Sequence, residues 1–122
     1  MTRRLPFDCS RGVRAQIARS IDNVAGPETD AALIAVQGLE SRDADGQVSI
    51  RVVGEHFCVG GYPKGERPQD SFVDFVGRRL SIMPYTLQRL EGKCLVLTKP
   101  DWSRRRWFVR KSVIRAEPAS CT

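Results

Sequence analysis

Residues 10–25 carry the pattern that most constrains the fold, because their apolar side chains recur at helical spacing. The apolar positions are Val13, Ile17, Ile21 and Val24. Intervals of four, four and three residues place them on one face of an α-helix. Ser10 or Asp8 is a suitable N-cap, and Gly26-Pro27 is a stop signal. We predict an amphipathic helix that packs on a sheet, since helices that lie on membranes carry bulkier apolar residues.

The segments that follow predict a sheet. Residues 31–39 are apolar, residues 47–53 alternate apolar with polar side chains, and the turn-rich SRDADG lies between them. This arrangement is typical of an antiparallel hairpin. The next residues, EHFCVGGYP, extend or bulge its second strand. The C-terminal third also favours strands, so we predict an α+β fold with a mainly antiparallel sheet.

Residues 63–83 are harder to assign. PKGERPQD, at 63–70, has the prolines, glycine and mixed charges of a surface loop. In residues 71–83, Ser71 and Asp74 have capping-box spacing and favour a short helix that ends near residues 77–79. Alternation around Leu80 and Ile82 would instead suit a strand. Met83-Pro84 ends whichever element precedes it.

Length and composition point to one small domain. The chain has 122 residues, which suits a single domain spanning 1–122. Its apolar runs are far shorter than the roughly 18 residues that cross a bilayer, and the N-terminus lacks a secretory pattern. We therefore expect a cytoplasmic protein without membrane contact. The four dispersed cysteines are expected to be reduced.

Charge is distributed unevenly along the chain. Residues 1–75 carry nine Lys/Arg and eleven Asp/Glu, whereas residues 76–122 carry eleven Lys/Arg and three Asp/Glu. The last 47 residues thus hold a net charge of +8. Such a bias is typical of proteins that bind an acidic partner, although arginine-rich composition can also reflect the coding bias of a genome.

The most basic stretch is RRRWFVR, residues 104–110. If it is extended, side chains alternate between two faces. One face then carries Arg104, Arg106, Phe108 and Arg110. Guanidinium groups bind phosphate bidentately, and aromatic rings stack on unpaired bases. We predict a nucleic-acid site formed by Arg104, Arg106, Phe108 and Arg110, extended by Lys99, Lys111 and Arg115. The alternative is an ordinary solvated strand face whose arginine stems cover apolar neighbours.

RWFVRKSVIRAE resembles the end of an SH3-like barrel, with an apolar strand, a tight polar turn and a short β-branched strand. The resemblance covers about a tenth of the chain and implies that the C-terminal part forms an SH3-like roll. It does not imply binding of proline-rich peptides, because the aromatic and acidic opening of such domains is missing.

Motifs for catalysis are not evident in the sequence. His56 is the only histidine, and Cys58 follows two residues later, but an activating partner for the thiol is not visible. Glu40, Asp43 and Asp45 resemble part of a calcium loop, yet Val52 stands where the closing acid is needed. Phosphate-binding glycine loops and dinucleotide fingerprints are missing. We expect no enzyme activity, no cofactor and no metal.

These observations lead to one interpretation with two rivals. The first is a small non-enzymatic protein that binds single-stranded DNA or RNA through its basic C-terminal hairpin, with little sequence specificity. The second is a protein-interaction module, an adaptor or inhibitor that docks an acidic partner. Its acidic stretch 21–50 even allows head-to-tail homo-oligomers. The third is a small-molecule-binding protein.

Overall fold

The computed structural model describes residues 5–67, 69–98, 102–103 and 113–118. In chain order its elements are β1 (Asp8–Cys9), α1 (Arg11–Val24), β2 (Thr29–Arg42), β3 (Val48–Pro63), β4 (Ser71–Phe75), β5 (Arg78–Ile82), α2 (Pro84–Leu90), β6 (Cys94–Thr98), β7 (Trp102–Ser103) and β8 (Val113–Glu117). Helices and strands in one chain confirm the α+β class.

Helix α1 begins and ends where the periodicity predicts. The Ser10 hydroxyl accepts a hydrogen bond from the backbone N–H of Val13 at 3.4 Å, which satisfies one of the free donors of the first turn. The apolar face is buried at Val13, Ile17 and Ile21. These three side chains belong to the same core cluster as buried residues of the sheet, among them Leu33 and Phe57.

Strands β2 and β3 form the predicted antiparallel hairpin. They pair from Thr29 opposite Pro63 to Arg42 opposite Val48, with a register shift between Gln37 and Leu39. The turn that joins them is held by Asp43, whose Oδ1 accepts hydrogen bonds from the backbone N–H groups of Asp45 and Gln47. The Asp43 carboxylate therefore caps its own turn, which is a common role of aspartate in turns.

The described strands form one curled, mixed sheet in the order β1-β6-β8-β3-β2-β5-β4, with β7 paired to β3. Among these strands, β1 pairs with β6 and β2 with β5 in parallel. The other pairings are antiparallel. The parallel β2–β5 contact places β4 and β5 beside the long hairpin, and the candidate site lies there.

Residues 71–83 form a hairpin, so the helix favoured for this segment is wrong. Strands β4 and β5 pair from Ser71 opposite Ile82 to Phe75 opposite Arg78. Gly77, which the helical interpretation used as a stop, is instead part of a two-residue turn: Val76 has φ 50° and Gly77 has φ 75°. Two successive positive φ angles are characteristic of the tight turns that join antiparallel strands. Burial alternates as a strand requires, with Val73 and Phe75 buried.

Helix α2 was not predicted. Pro84 occupies the start of the helix, where a missing N–H costs nothing and the fixed φ suits the helix. Met83-Pro84 therefore ends β5 and begins a new element. Thr86 and Leu90 of α2 are fully buried.

The described cysteines include both free thiols and a disulfide-bonded residue. Cys9 is a buried free thiol and Cys58 an exposed one. Cys94 is disulfide-bonded, so the expectation of reduced cysteines is wrong for this residue. Within the described ranges, neither helix has the length and apolar character that crossing a bilayer requires.

Candidate anion-binding cleft

Most of the predicted nucleic-acid site lies outside the described residues. This applies to Lys99, Arg104, Arg106, Phe108, Arg110 and Lys111. Arg115 is described: it lies on β8, is half-buried, and its Nη1 is 3.5 Å from the position that a Cβ on Gly54 would take. The cationic platform therefore remains a prediction from sequence.

The His56–Cys58 pair does not have the properties of a catalytic thiol. Cys58 is exposed whereas His56 is buried, with 6% of its surface exposed. Partial desolvation of the thiol raises the pKa of Cys58, which is opposite to the shift that activates a thiolate. Within the described segments, acidic, histidine and cysteine side chains also do not cluster as metal ligands do.

The structure instead brings together a set of side chains on the face of the sheet opposite α1, which we call the outer face. A Cβ on Gly61 would lie 3.5 Å from the Cβ of Val24 in α1, so Gly61 faces the helix. Its neighbours Gly60 and Tyr62 face the other way, because strand side chains alternate.

Strand register fixes what lies beside Tyr62 on the outer face. Gly60 pairs with Ala32, and Ala32 pairs with Ser81 across the parallel contact. Ser81 in turn pairs with Phe72. In the adjacent row, Asp30 is opposite Tyr62, and Arg79 is two residues before Ser81 on β5. Four strands therefore contribute to one surface.

A cleft of about 170 Å³ opens on this surface, and we call it the β3–β4 cleft. Its floor is formed by Ala32 and Ser81, both 3% exposed. The polar and aromatic residues around it are Asp30, Tyr62, Lys64, Arg67, Phe72 and Arg79.

Arg67 is held in place from several sides. Its guanidinium lies 4.5 Å from the ring centroid of Tyr62. Its Nε is 3.1 Å from Oδ2 of Asp70, which also accepts a hydrogen bond from the Ser81 hydroxyl at 2.7 Å. Because the Asp70 side chain is only 3% exposed, this ion pair is shielded from solvent. The hydrogen bond between Ser81 and Asp70 attaches the β3–β4 loop to the floor of the cleft.

Arg79 is arranged differently. Its guanidinium carbon lies 3.8 Å from the ring centroid of Phe72, which faces it from the neighbouring strand. An arginine over an aromatic face gains a cation–π attraction while its N–H groups stay free to bind other partners. Within the described ranges, the side chain of Arg79 has neither a hydrogen bond nor an ion pair. Its donors are therefore open to an external acceptor.

The charges around the cleft favour an anion. Lys64, Arg67 and Arg79 contribute three cations, and Asp30 is the one carboxylate of the lining itself. Planar guanidinium groups form bidentate hydrogen bonds with phosphate and carboxylate. Stacking fixes the plane of each guanidinium before a ligand arrives, which reduces the entropy lost on binding.

Sequence reasoning missed this site because its residues come from three separate segments. PKGERPQD was interpreted only as a surface loop, and 71–83 was interpreted as a helix. In a strand interpretation of 71–83, Phe72 and Asp74 share one face, as do Arg79 and Ser81. That alternation was the available signal. The contact of β5 with β2, which completes the site, leaves no local pattern.

Comparisons with protein-family models, with curated protein sequences and with solved structures gave no match.

Proposed function

We propose that this chain is a small non-enzymatic protein that binds single-stranded nucleic acid, DNA or RNA, with little sequence specificity, in the cytoplasm. The proposal retains the predicted C-terminal platform around Arg104, Arg106 and Phe108. It also retains the finer architecture: the N-terminal helix packed on the sheet and an SH3-like roll at the C-terminus. The observation that carries it is the β3–β4 cleft, where two arginines are stacked on aromatic rings.

Phosphate contacts and aromatic rings have separate effects in such binding. Cations that neutralise phosphates release condensed counterions, so affinity falls steeply as salt increases. Rings that stack on bases contribute about 1–3 kcal/mol each and tolerate any sequence. The cleft places Lys64, Arg67 and Arg79 close to Tyr62 and Phe72, and the last 47 residues add a net charge of +8. The cleft therefore offers phosphate contacts. Arginines already cover its two rings, so base stacking is expected from Phe108 of the predicted platform.

A fluorescence titration with single-stranded and duplex oligonucleotides at two salt concentrations tests the proposal. We expect single strands to bind more tightly, with an affinity that weakens steeply with salt. Arg79→Gln should weaken binding by about tenfold, since it removes a charge-assisted contact. Changing Arg104, Arg106 and Arg110 together to Gln should weaken it further.

Arg19→Gln is the matched control, because Arg19 is an exposed arginine of α1, away from the outer face. It removes the same charge and should leave affinity within about twofold. The proposal fails if no oligonucleotide binds at low salt, if affinity does not depend on salt, or if Arg19→Gln weakens binding as much as Arg79→Gln.

A second candidate is the binding of a small anionic molecule, which the buried floor and limited volume of the cleft favour. Pockets for small ligands are concave, with few convergent polar groups. Calorimetric titration with nucleoside monophosphates and dicarboxylates separates the two: this candidate requires tight binding of a free small anion and no gain from a longer strand.

A further inference from the structure

The shape of the β3–β4 cleft limits which part of a strand can enter it. The cleft is closed below by Ala32 and Ser81, which are almost fully buried. Its volume of about 170 Å³ suits a single phosphate with its sugar rather than a run of several nucleotides, which sites for single strands usually hold.

The charged side chains around the cleft also favour a terminal phosphate over an internal one. A phosphate monoester carries about −1.5 to −2 charges at neutral pH and presents three acceptor oxygens, whereas an internal phosphodiester carries a single charge. Arg79, whose donors have no partner in the described part of the chain, and Lys64 both line the cleft with Arg67. Because Arg67 is already paired with Asp70, Arg79 and Lys64 are the two cations that remain to balance the two charges of a phosphate monoester.

Asp30 indicates which group of the ligand lies beside the phosphate. It lies in the same row of the outer face as Tyr62 and lines the cleft beside the cations. A carboxylate repels phosphate, so the phosphate has to lie toward Arg79 and Lys64, whereas Asp30 can accept hydrogen bonds from hydroxyl groups. A terminal sugar offers such hydroxyls next to its single phosphate.

From these observations we infer that the β3–β4 cleft binds the terminal phosphate monoester of a single strand together with its sugar. The inference rests on the proposed nucleic-acid function and specifies which part of the ligand the cleft receives. Arg79 and Lys64 contact the phosphate. Arg67, held by Asp70 and stacked on Tyr62, closes the loop side of the cleft.

The test compares one oligonucleotide sequence with three kinds of end: hydroxyl at both ends, a 5′-phosphate, and a 3′-phosphate. Fluorescence anisotropy with an internal dye measures affinity for the full chain and for three variants, Arg79→Gln, Lys64→Gln and Arg19→Gln. We expect one phosphorylated form to bind about tenfold more tightly than the hydroxyl-ended strand. Arg79→Gln and Lys64→Gln should abolish this advantage, whereas Arg19→Gln should preserve it.

Two failures are distinguishable. If all three strands bind equally well, the terminal-phosphate inference is overturned while the nucleic-acid function stands. If none binds, both are overturned. A third result would also overturn the terminal-phosphate inference. If Arg79→Gln and Lys64→Gln have native circular dichroism and still bind the phosphorylated strand more tightly than the hydroxyl-ended strand, the phosphate binds elsewhere.

Discussion

Val76 is the residue with the least favourable backbone conformation among the described positions. Its φ is 50°, and it is the non-glycine residue there with a positive φ. A β-branched side chain is particularly poor in the left-handed region, since its Cβ crowds the backbone carbonyl. The side chain is also 54% exposed, so it gains little from packing. The turn of the β4–β5 hairpin is therefore strained.

Relieving that strain should stabilise the protein. Val76→Asn creates an Asn-Gly turn, the preferred sequence for two successive positive φ angles. We expect the free energy of unfolding to rise by about 1 kcal/mol, as measured by urea denaturation. Gly77→Ala, at φ 75°, is the opposite control and should destabilise. A Val76→Asn protein no more stable than the parent would show that the turn carries no strain.

Between elements, one ion pair joins α1 to the β4–β5 hairpin. Arg78 donates from Nε and Nη2 to the two carboxylate oxygens of Asp22, at 2.7 Å and 2.9 Å. It also donates from Nη1 to the backbone carbonyl of Val76 at 3.0 Å. One guanidinium thus connects the helix to the turn. These hydrogen bonds to Arg78 lower the pKa of Asp22.

The lowered pKa determines how this ion pair responds to pH. A carboxyl group whose pKa is lower in the folded protein stabilises it at pH values above the unfolded pKa, and this contribution is lost as pH falls through the folded value. We expect Asp22→Asn to reduce the urea midpoint at neutral pH. The midpoints of variant and parent should converge as the pH falls below the usual aspartate pKa of about 3.9. A difference that is constant with pH would contradict an ionic contribution.

Local patterns predict some of these elements and miss others. Helix α1 and the β2–β3 hairpin each have one clear periodicity, with a cap or a turn at the boundary. Residues 71–83 fit two periodicities. As a helix, the segment would place Phe72, Phe75 and Leu80 on one face. As strands, it would place Val73 with Phe75, and Leu80 with Ile82, on the apolar face, with the residues between them on the other face. Pairing with β2, whose Ala32 lies 49 residues before its partner Ser81, decides the outcome. The β3–β4 cleft depends on this pairing and is therefore invisible to local analysis.

At the scale of the molecule, one core cluster of the described residues contains buried side chains of α1 and of the sheet strands. It includes Ile17, Leu33, Phe75 and Leu95, each at most 1% exposed. The cleft uses the opposite surface of the same strands. The residues that form the core and the residues that line the cleft are thus largely separate.

A substitution of a buried residue of α1 tests how much the helix contributes to the stability of the fold. Ile17 has no exposed surface, so Ile17→Ala should reduce the free energy of unfolding by about 2–5 kcal/mol in urea denaturation. Arg19→Ala, two residues away and exposed, should change it by less than about 0.5 kcal/mol. Similar small losses for both variants would show that α1 contributes little to the core.

The long β2–β3 hairpin has a consequence for how the chain folds. Its two strands are neighbours in sequence and are joined by a turn of five residues between Arg42 and Val48, so little loop-closure entropy opposes their pairing. The hairpin then offers two edges: β5 adds to β2, and β8 adds to β3. Assembly can start from this hairpin on the ribosome, before the C-terminal strand has been synthesised.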